Sequence, residues 1–162
     1  MGPIFKESGG GTLYITSGTF TDCLYKHVRC EQEIRTLWSL RGQWAKLEST
    51  DWTVPQAYVQ SAGGGIVGYI MKKAAGEPLW KLSSSANWAF QLPQVIARVV
   101  RSMAAAMDEG IFPLVEHGGN VLVHRHEGTH RADVYLIDVD GCEQMTPSRT
   151  AVDALRQLEM IS

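Results

Sequence analysis

Residues 92 to 108, LPQVIARVVRSMAAAMD, limit what this chain can fold into more than any other segment. Val95, Ile96, Val99, Val100, Met103 and Met107 recur at helical spacing and make one apolar stripe. Pro93 suits the first turn of such a helix, where a missing N–H is harmless, and Gly110 suits its end. A long helix with one apolar face has to lie against a second apolar layer.

Short β-rich runs upstream supply that layer. TLYITS (12–17) and TDCLYKHV (21–28) flank Ser17-Gly18-Thr19-Phe20, which predicts a hairpin. AYVQS (57–61) and IVGYIMK (66–72), joined by Ala62-Gly63-Gly64-Gly65, predict another, and Ala74-Ala75-Gly76-Glu77-Pro78 breaks the second strand. Between the hairpins, EQEIRTLWSLR (31–41) places Ile34, Leu37, Trp38 and Leu40 at helical spacing, with Gly42 as its stop and a polar stretch on through Thr53. After the long helix come two more apolar runs, HGGNVLV (117–123) and YLIDVDG (135–141), joined by the polar HRHEGTHRAD (124–133). Val152, Leu155, Leu158 and Glu159 predict a last amphipathic helix. Strands early and helices later point to an α+β class with two unequal lobes.

Composition narrows the function. A length of 162 residues suits one domain with a buried core. Lys plus Arg number 15 against 17 Asp plus Glu, so no basic face for nucleic acid is expected. No apolar run approaches the ~20 residues that span a bilayer, and MGPIFKESGGG lacks the apolar core of a secretory signal. A monomer outside the membrane is expected. Cys23, Cys30 and Cys142 contain no CxxC pair, which predicts buried free thiols in a reducing compartment. His124, His126 and His130 read more simply as a polar hairpin excursion than as zinc ligands, and the five tryptophans (38, 44, 52, 80 and 88) as packing between lobes.

The residues able to do chemistry sit at the ends of the β-runs. Gly9-Gly10-Gly11 would let backbone N–H groups approach a ligand. Asn120 and Asp138 offer an amide carbonyl and a carboxylate, hard oxygen donors suited to Mg²⁺.

In this order the motifs resemble a protein kinase-like fold cut to its minimum, over about Ser8 to Gly141. The resemblance implies a small β-rich N-lobe (about 8–71), a hinge (72–76) and a reduced helical C-lobe (77–162). It also implies ATP with Mg²⁺, or Mn²⁺ in its place. Lys26, after Gly9, Gly10 and Gly11, would neutralise the α- and β-phosphates. QEIRTL resembles the (R)EIxxL stretch of the kinase αC helix, so Glu33 would pair with Lys26; Glu31 is the competing carboxylate on another helical face. YIMKKAAGEPL resembles a kinase hinge, with Met71 at the back of the adenine pocket and the backbone of Lys72, Lys73 and Ala74 on the adenine edge. GIFPLVEHGGNVLV follows the pattern GIxHGDxHxGNxLx, with Gly110, Ile111, His117, Gly119, Asn120 and Leu122 in place. Asn120 and Asp138 would then bind metal, with Asp140 as a helper ligand; IDVDG can also be aligned with Asp140-Gly141 as the metal pair, though the apolar run directly before Asp138 favours the first. The pattern breaks at Val115, where the catalytic aspartate is expected, leaving Glu116 or His117 as the surrogate base.

The compressed C-lobe and the lysine within GTFTDCLYK resemble the HopBF family of bacterial type III effector kinases. That resemblance implies a Ser/Thr-type protein kinase secreted into the host cell cytoplasm, acting on a host protein, HSP90 in that family. The same fold also serves AMP transfer, small-molecule phosphorylation or non-catalytic partner binding, the last favoured by Val115.

Overall fold

The protein is described from a computed structural model covering residues 2–8, 11–83, 91–115, 118–126, 129, 131–148, 152–153 and 156. Five strands, β1 (Ile4–Ser8), β2 (Gly11–Ile15), β3 (Cys23–Val28), β4 (Pro55–Gln60) and β5 (Ile66–Lys72), form one antiparallel sheet in the order β1-β2-β3-β5-β4. Both expected hairpins form, and β3 pairs with β5 at the centre of the sheet. β1 was not legible as a strand, because its apolar residues Ile4 and Phe5 stay exposed at the sheet edge and mark no buried face. It pairs with β2 up to Ser8 and Gly11, two residues expected in a flexible turn, and Gly9 and Gly10 lie outside the described residues.

Two helices, α1 (Glu31–Ser39) and α2 (Arg41–Lys46), link the hairpins. The first ends before the expected residue 41, and Gly42 lies inside α2 rather than stopping α1. The stretch through Thr53 also departs from expectation. Trp44, Leu47 and Trp52 in it are buried, and the two indoles meet edge to face at 5.5 Å. Three large apolar residues among many polar ones carry the packing, which an averaged polarity conceals. Trp38 and Trp80 are exposed, so packing between lobes accounts for two of the described tryptophans, and Trp88 lies outside the described residues.

The remaining part holds β6 (Glu77–Pro78), α3 (Leu79–Ser83), α4 (Leu92–Asp108), β7 (Ile111–Phe112), β8 (Val121–Arg125), β9 (Ala132–Leu136) and β10 (Glu143–Gln144). The long helix spans its predicted residues and buries Val95, Val99, Met103 and Ala106. β8 pairs antiparallel with β9 and β6, taking in His124, Arg125, Ala132 and Asp133, which were expected in the connecting segment. β7 pairs with β10. Gly76, at φ +107°, brings the chain against β8 so closely that a Cβ there would sit 2.3 Å from the Val123 carbonyl oxygen. Of the expected tail helix, residues 152–153 and 156 are helical and the others lie outside the described residues.

The segment before β4 fastens the two parts together. Thr53 N–H donates to the Leu136 carbonyl (2.9 Å), Leu136 N–H donates to the Asp51 carbonyl (2.8 Å), and Trp52 Nε1 donates to the Ser102 carbonyl (2.8 Å). Arg98 of α4 grips the Asp51 carboxylate with two nitrogens and donates to the Ala132 carbonyl at 2.7 Å. One hydrophobic cluster runs from Leu24 and Leu37 through Trp44, Trp52 and Val99 to Val121 and Leu136. No described helix is long and apolar enough to cross a membrane.

Candidate active site

Strand alternation sets the site. On β3, Leu24, Lys26 and Val28 share one face, and the register puts Leu13 and Tyr69 beside Lys26, and Ile15 and Met71 beside Leu24. Lys26 is 4% exposed, and its ammonium is met by two carboxylates from the far end of the chain. Nζ donates to Asp138 and, at 2.7 Å, to Asp140 Oδ1. Burial works against the lysine charge, but Asp140 and then Asp138 outweigh it, so the pKa lies above the ordinary lysine value.

The two aspartates sit in different surroundings. The Asp138 side chain is 45% exposed, whereas that of Asp140 is 3% exposed. Asp140 Oδ1 accepts a second bond, from the Tyr69 hydroxyl at 2.7 Å. Tyr69 is wholly buried, and burial followed by the Asp140 charge holds its phenol well above its ordinary pKa. Asp138 adopts a left-handed backbone, φ +73° and ψ +44°, a region sparsely occupied by residues other than glycine. Ile137 N–H donates to the Asn120 carbonyl at 2.9 Å, so the residue before Asp138 is tied directly to Asn120.

Asn120 and Asp138 therefore lie on adjoining backbone, with an amide and a partly open carboxylate, and this donor chemistry fits Mg²⁺. Asp140, expected as a helper ligand, is buried, and its Oδ1 takes donors from both Lys26 and Tyr69. Glu33 is corrected. Among the described residues no ion pair joins it to Lys26, whose partners are Asp138 and Asp140. Glu33 is near enough to feel the cluster: burial and then Asp140 raise its pKa, with Lys26 pulling the other way. It borders a cavity of about 730 Å³ between α1 and residues 140–144.

The nucleotide-facing expectations divide similarly. Met71 is buried beside Leu24. The Lys73 amide donates to the Asp22 carbonyl at 2.9 Å, so of its backbone groups it is the carbonyl that could meet an adenine edge. Lys73 Nζ lies 5.0 Å from the Phe5 ring centroid. Gly11 belongs to β2, where a Cβ would fall 2.3 Å from the His27 carbonyl oxygen, so it serves the close approach of two strands beside Lys26. Leu13, Ile15 and Leu24 share the lysine face and were not singled out from sequence, although their period-two alternation with Lys26 was the available signal. Tyr69 was missed because its hydroxyl partner is remote in the chain.

Val115 is 1% exposed and part of the core, while Glu116 and His117 lie outside the described residues. His126 Nε2 pairs with Asp133 at 2.8 Å and its ring meets that of His124 edge to face; His130 lies outside the described residues. No group of three or more His, Cys, Asp or Glu able to hold a metal occurs among the described residues. The cysteines are free as expected, but only Cys142 is buried; Cys30 is exposed and Cys23 intermediate.

No protein-family model and no curated protein matches the sequence. Among solved structures the chain is similar to WaaP in complex with acyl carrier protein, with a TM-score of 0.65 at 14% identity, over 99% of this chain and 69% of that one. The chain has the protein kinase-like fold, with a small β-rich lobe and a reduced helical one.

Proposed function

We propose that the protein is an ATP-dependent phosphotransferase whose Mg-ATP is held by Lys26, Asn120 and Asp138. The observation that carries this reading is the meeting of Lys26, from the centre of the five-stranded sheet, with Asp138 beside Asn120. The kinase-like fold, shared with a solved structure over 99% of this chain, supports it.

Lys26 supplies a fixed positive charge in a buried setting, where it acts on phosphate oxygens more strongly than in water. Asp138 and Asn120 would hold the metal, which when bound neutralises and orients the phosphates. In the structure Lys26 covers Asp138; an arriving triphosphate would give the lysine other oxygens and free the Asp138 carboxylate. Leu13, Ile15, Leu24 and Met71 would form the apolar roof over the base. With valine at position 115, transfer would rest on positioning and charge neutralisation, which the loose phosphoryl transition state tolerates. Glu116 or His117 would take the acceptor proton.

By its resemblance to effector kinases we take the acceptor to be a protein Ser or Thr hydroxyl. Incubation with γ-³²P-ATP and Mg²⁺, with eukaryotic lysate and with purified HSP90, tests this. Protein label that is lost in Asp138→Ala supports the reading; label that survives in the variant, or none with folded protein, overturns it. Buried Val115 favours a second reading, a nucleotide-binding protein without transfer, which predicts Mg-ATP binding but no label.

A further inference from the structure

We propose that Asp140, oriented by Tyr69, anchors Lys26 in the position that the kinase pattern assigns to Glu33. The role is a positioning one and rests on the phosphotransferase reading above. A buried lysine needs a partner that stays when the phosphates arrive, and a charge left unpaired in the interior is strongly unfavourable. Asp138 is a poor permanent partner, being open to solvent and suited to metal. Asp140 has the opposite character.

Its Oδ1 lies 2.7 Å from both Lys26 Nζ and the Tyr69 hydroxyl, and all three side chains are buried. Tyr69 is the cross-strand neighbour of Lys26 on β5, so both donors converge from adjacent strands of one rigid sheet. The carboxylate sits in a short helical turn, Val139–Gly141, held between buried Val139 and buried Cys142. That turn is closed by Cys142 N–H donating to the Val139 carbonyl at 3.2 Å.

The Asp-x-Asp stretch thus divides two tasks between neighbouring residues. Asp138 faces the ligand and Asp140 faces the lysine. An anchor on α1 would make Lys26 depend on where that helix sits. An anchor two residues from the metal ligand instead fixes lysine and metal site to one another, with no ion pair to Glu33 needed to hold the lysine.

The test compares Asp140→Asn, Tyr69→Phe and Glu33→Gln with the wild type by two readouts. The first is the rate at which an amine-acetylating reagent labels Lys26 without nucleotide, followed by peptide mass spectrometry. Loss of the carboxylate charge beside the ammonium should raise Lys26 labelling about tenfold in Asp140→Asn, and loss of the orienting hydroxyl should raise it several-fold in Tyr69→Phe, with Glu33→Gln within about twofold of wild type. The second readout is the split of kcat from KM: Asp140→Asn should lower kcat about tenfold or more while KM for ATP shifts less. Tyr69→Phe removes one oxygen and keeps the ring, so it gives an answer even if Asp140→Asn fails to fold. Glu33→Gln unmasking Lys26 as much as Asp140→Asn, or Tyr69→Phe labelling like wild type, overturns the proposal. Labelling does not require turnover. The labelling contrast without any phosphoryl transfer would uphold the anchor and overturn the phosphotransferase reading; transfer without the contrast would do the reverse.

Discussion

Lys26 Nζ and Asp140 Oδ1 lie 2.7 Å apart across 114 residues of sequence, and the same nitrogen also bonds Asp138. The pair joins the central strand of the sheet to the turn after β9. Its burial makes removing the lysine far more costly than removing the half-exposed Asp138 carboxylate that shares it.

Lys26→Met would leave Asp140 charged, buried and supported by Tyr69 alone, a loss expected to cost about 3 kcal/mol or more. Asp138→Ala removes a half-exposed carboxylate and leaves Lys26 paired with Asp140, so it should cost about 1 kcal/mol or less. Urea unfolding of both variants checks the order, and activity should be lost in both whatever their stability.

Asp51→Ala should cost about 1 to 3 kcal/mol. The change removes a two-nitrogen grip from Arg98 that is only partly exposed, and it loosens the hold of α4 on the segment before β4. The hydrogen bond from Arg98 to the Ala132 carbonyl keeps the guanidinium partly satisfied, which sets the upper end. A urea midpoint equal to wild type would contradict this.

Gly76→Ala combines a positive φ with a Cβ placed on the backbone of Val123 and His124. Strain at such a φ costs about 1 to 3 kcal/mol before the steric clash is added, so a marked fall in melting temperature is expected. Gly63→Ala, where the nearest atom is the Ser61 hydroxyl at 3.8 Å, should fall much less.

Cys142 is buried, and burial pushes its thiol from an ordinary 9.0 up to about 12. The folded protein therefore keeps a proton that the unfolded chain gives up between those values. Stability should fall as pH rises above 9, in the same direction as the raised Lys26 pKa acts above 10.5. At pH 9, iodoacetamide should modify exposed Cys30 quickly and Cys142 only after unfolding. Rapid alkylation of native Cys142 would contradict its burial.

Much of this was legible in the chain because it rests on local periodicity. The long helix, both hairpins and the β8–β9 pair follow from apolar stripes and turn residues, whereas only the resemblance to a kinase-like fold set Lys26 and Asp138 at one site. What escaped was set by tertiary partners. Trp52 looks like an isolated aromatic in a polar stretch until α4 supplies the Ser102 carbonyl, and Trp44 until Trp52 meets it edge to face. Glu33 is placed by the resemblance of QEIRTL to the (R)EIxxL stretch, and that pattern does not register a second carboxylate arriving after β9. Asp140 and Tyr69 are a buried pair whose members lie 71 residues apart, and no spacing rule connects them.

A Mg-dependent ATP site formed by Lys26, Asn120 and Asp138 is open to calorimetric titration of ATP into the wild type and Asp138→Ala, with and without Mg²⁺. Saturable binding to the wild type that weakens sharply without Mg²⁺ is expected, with a variant that remains folded but has lost this metal dependence. Equal ATP binding by both proteins in both conditions, or no saturable heat from folded wild type, would contradict it.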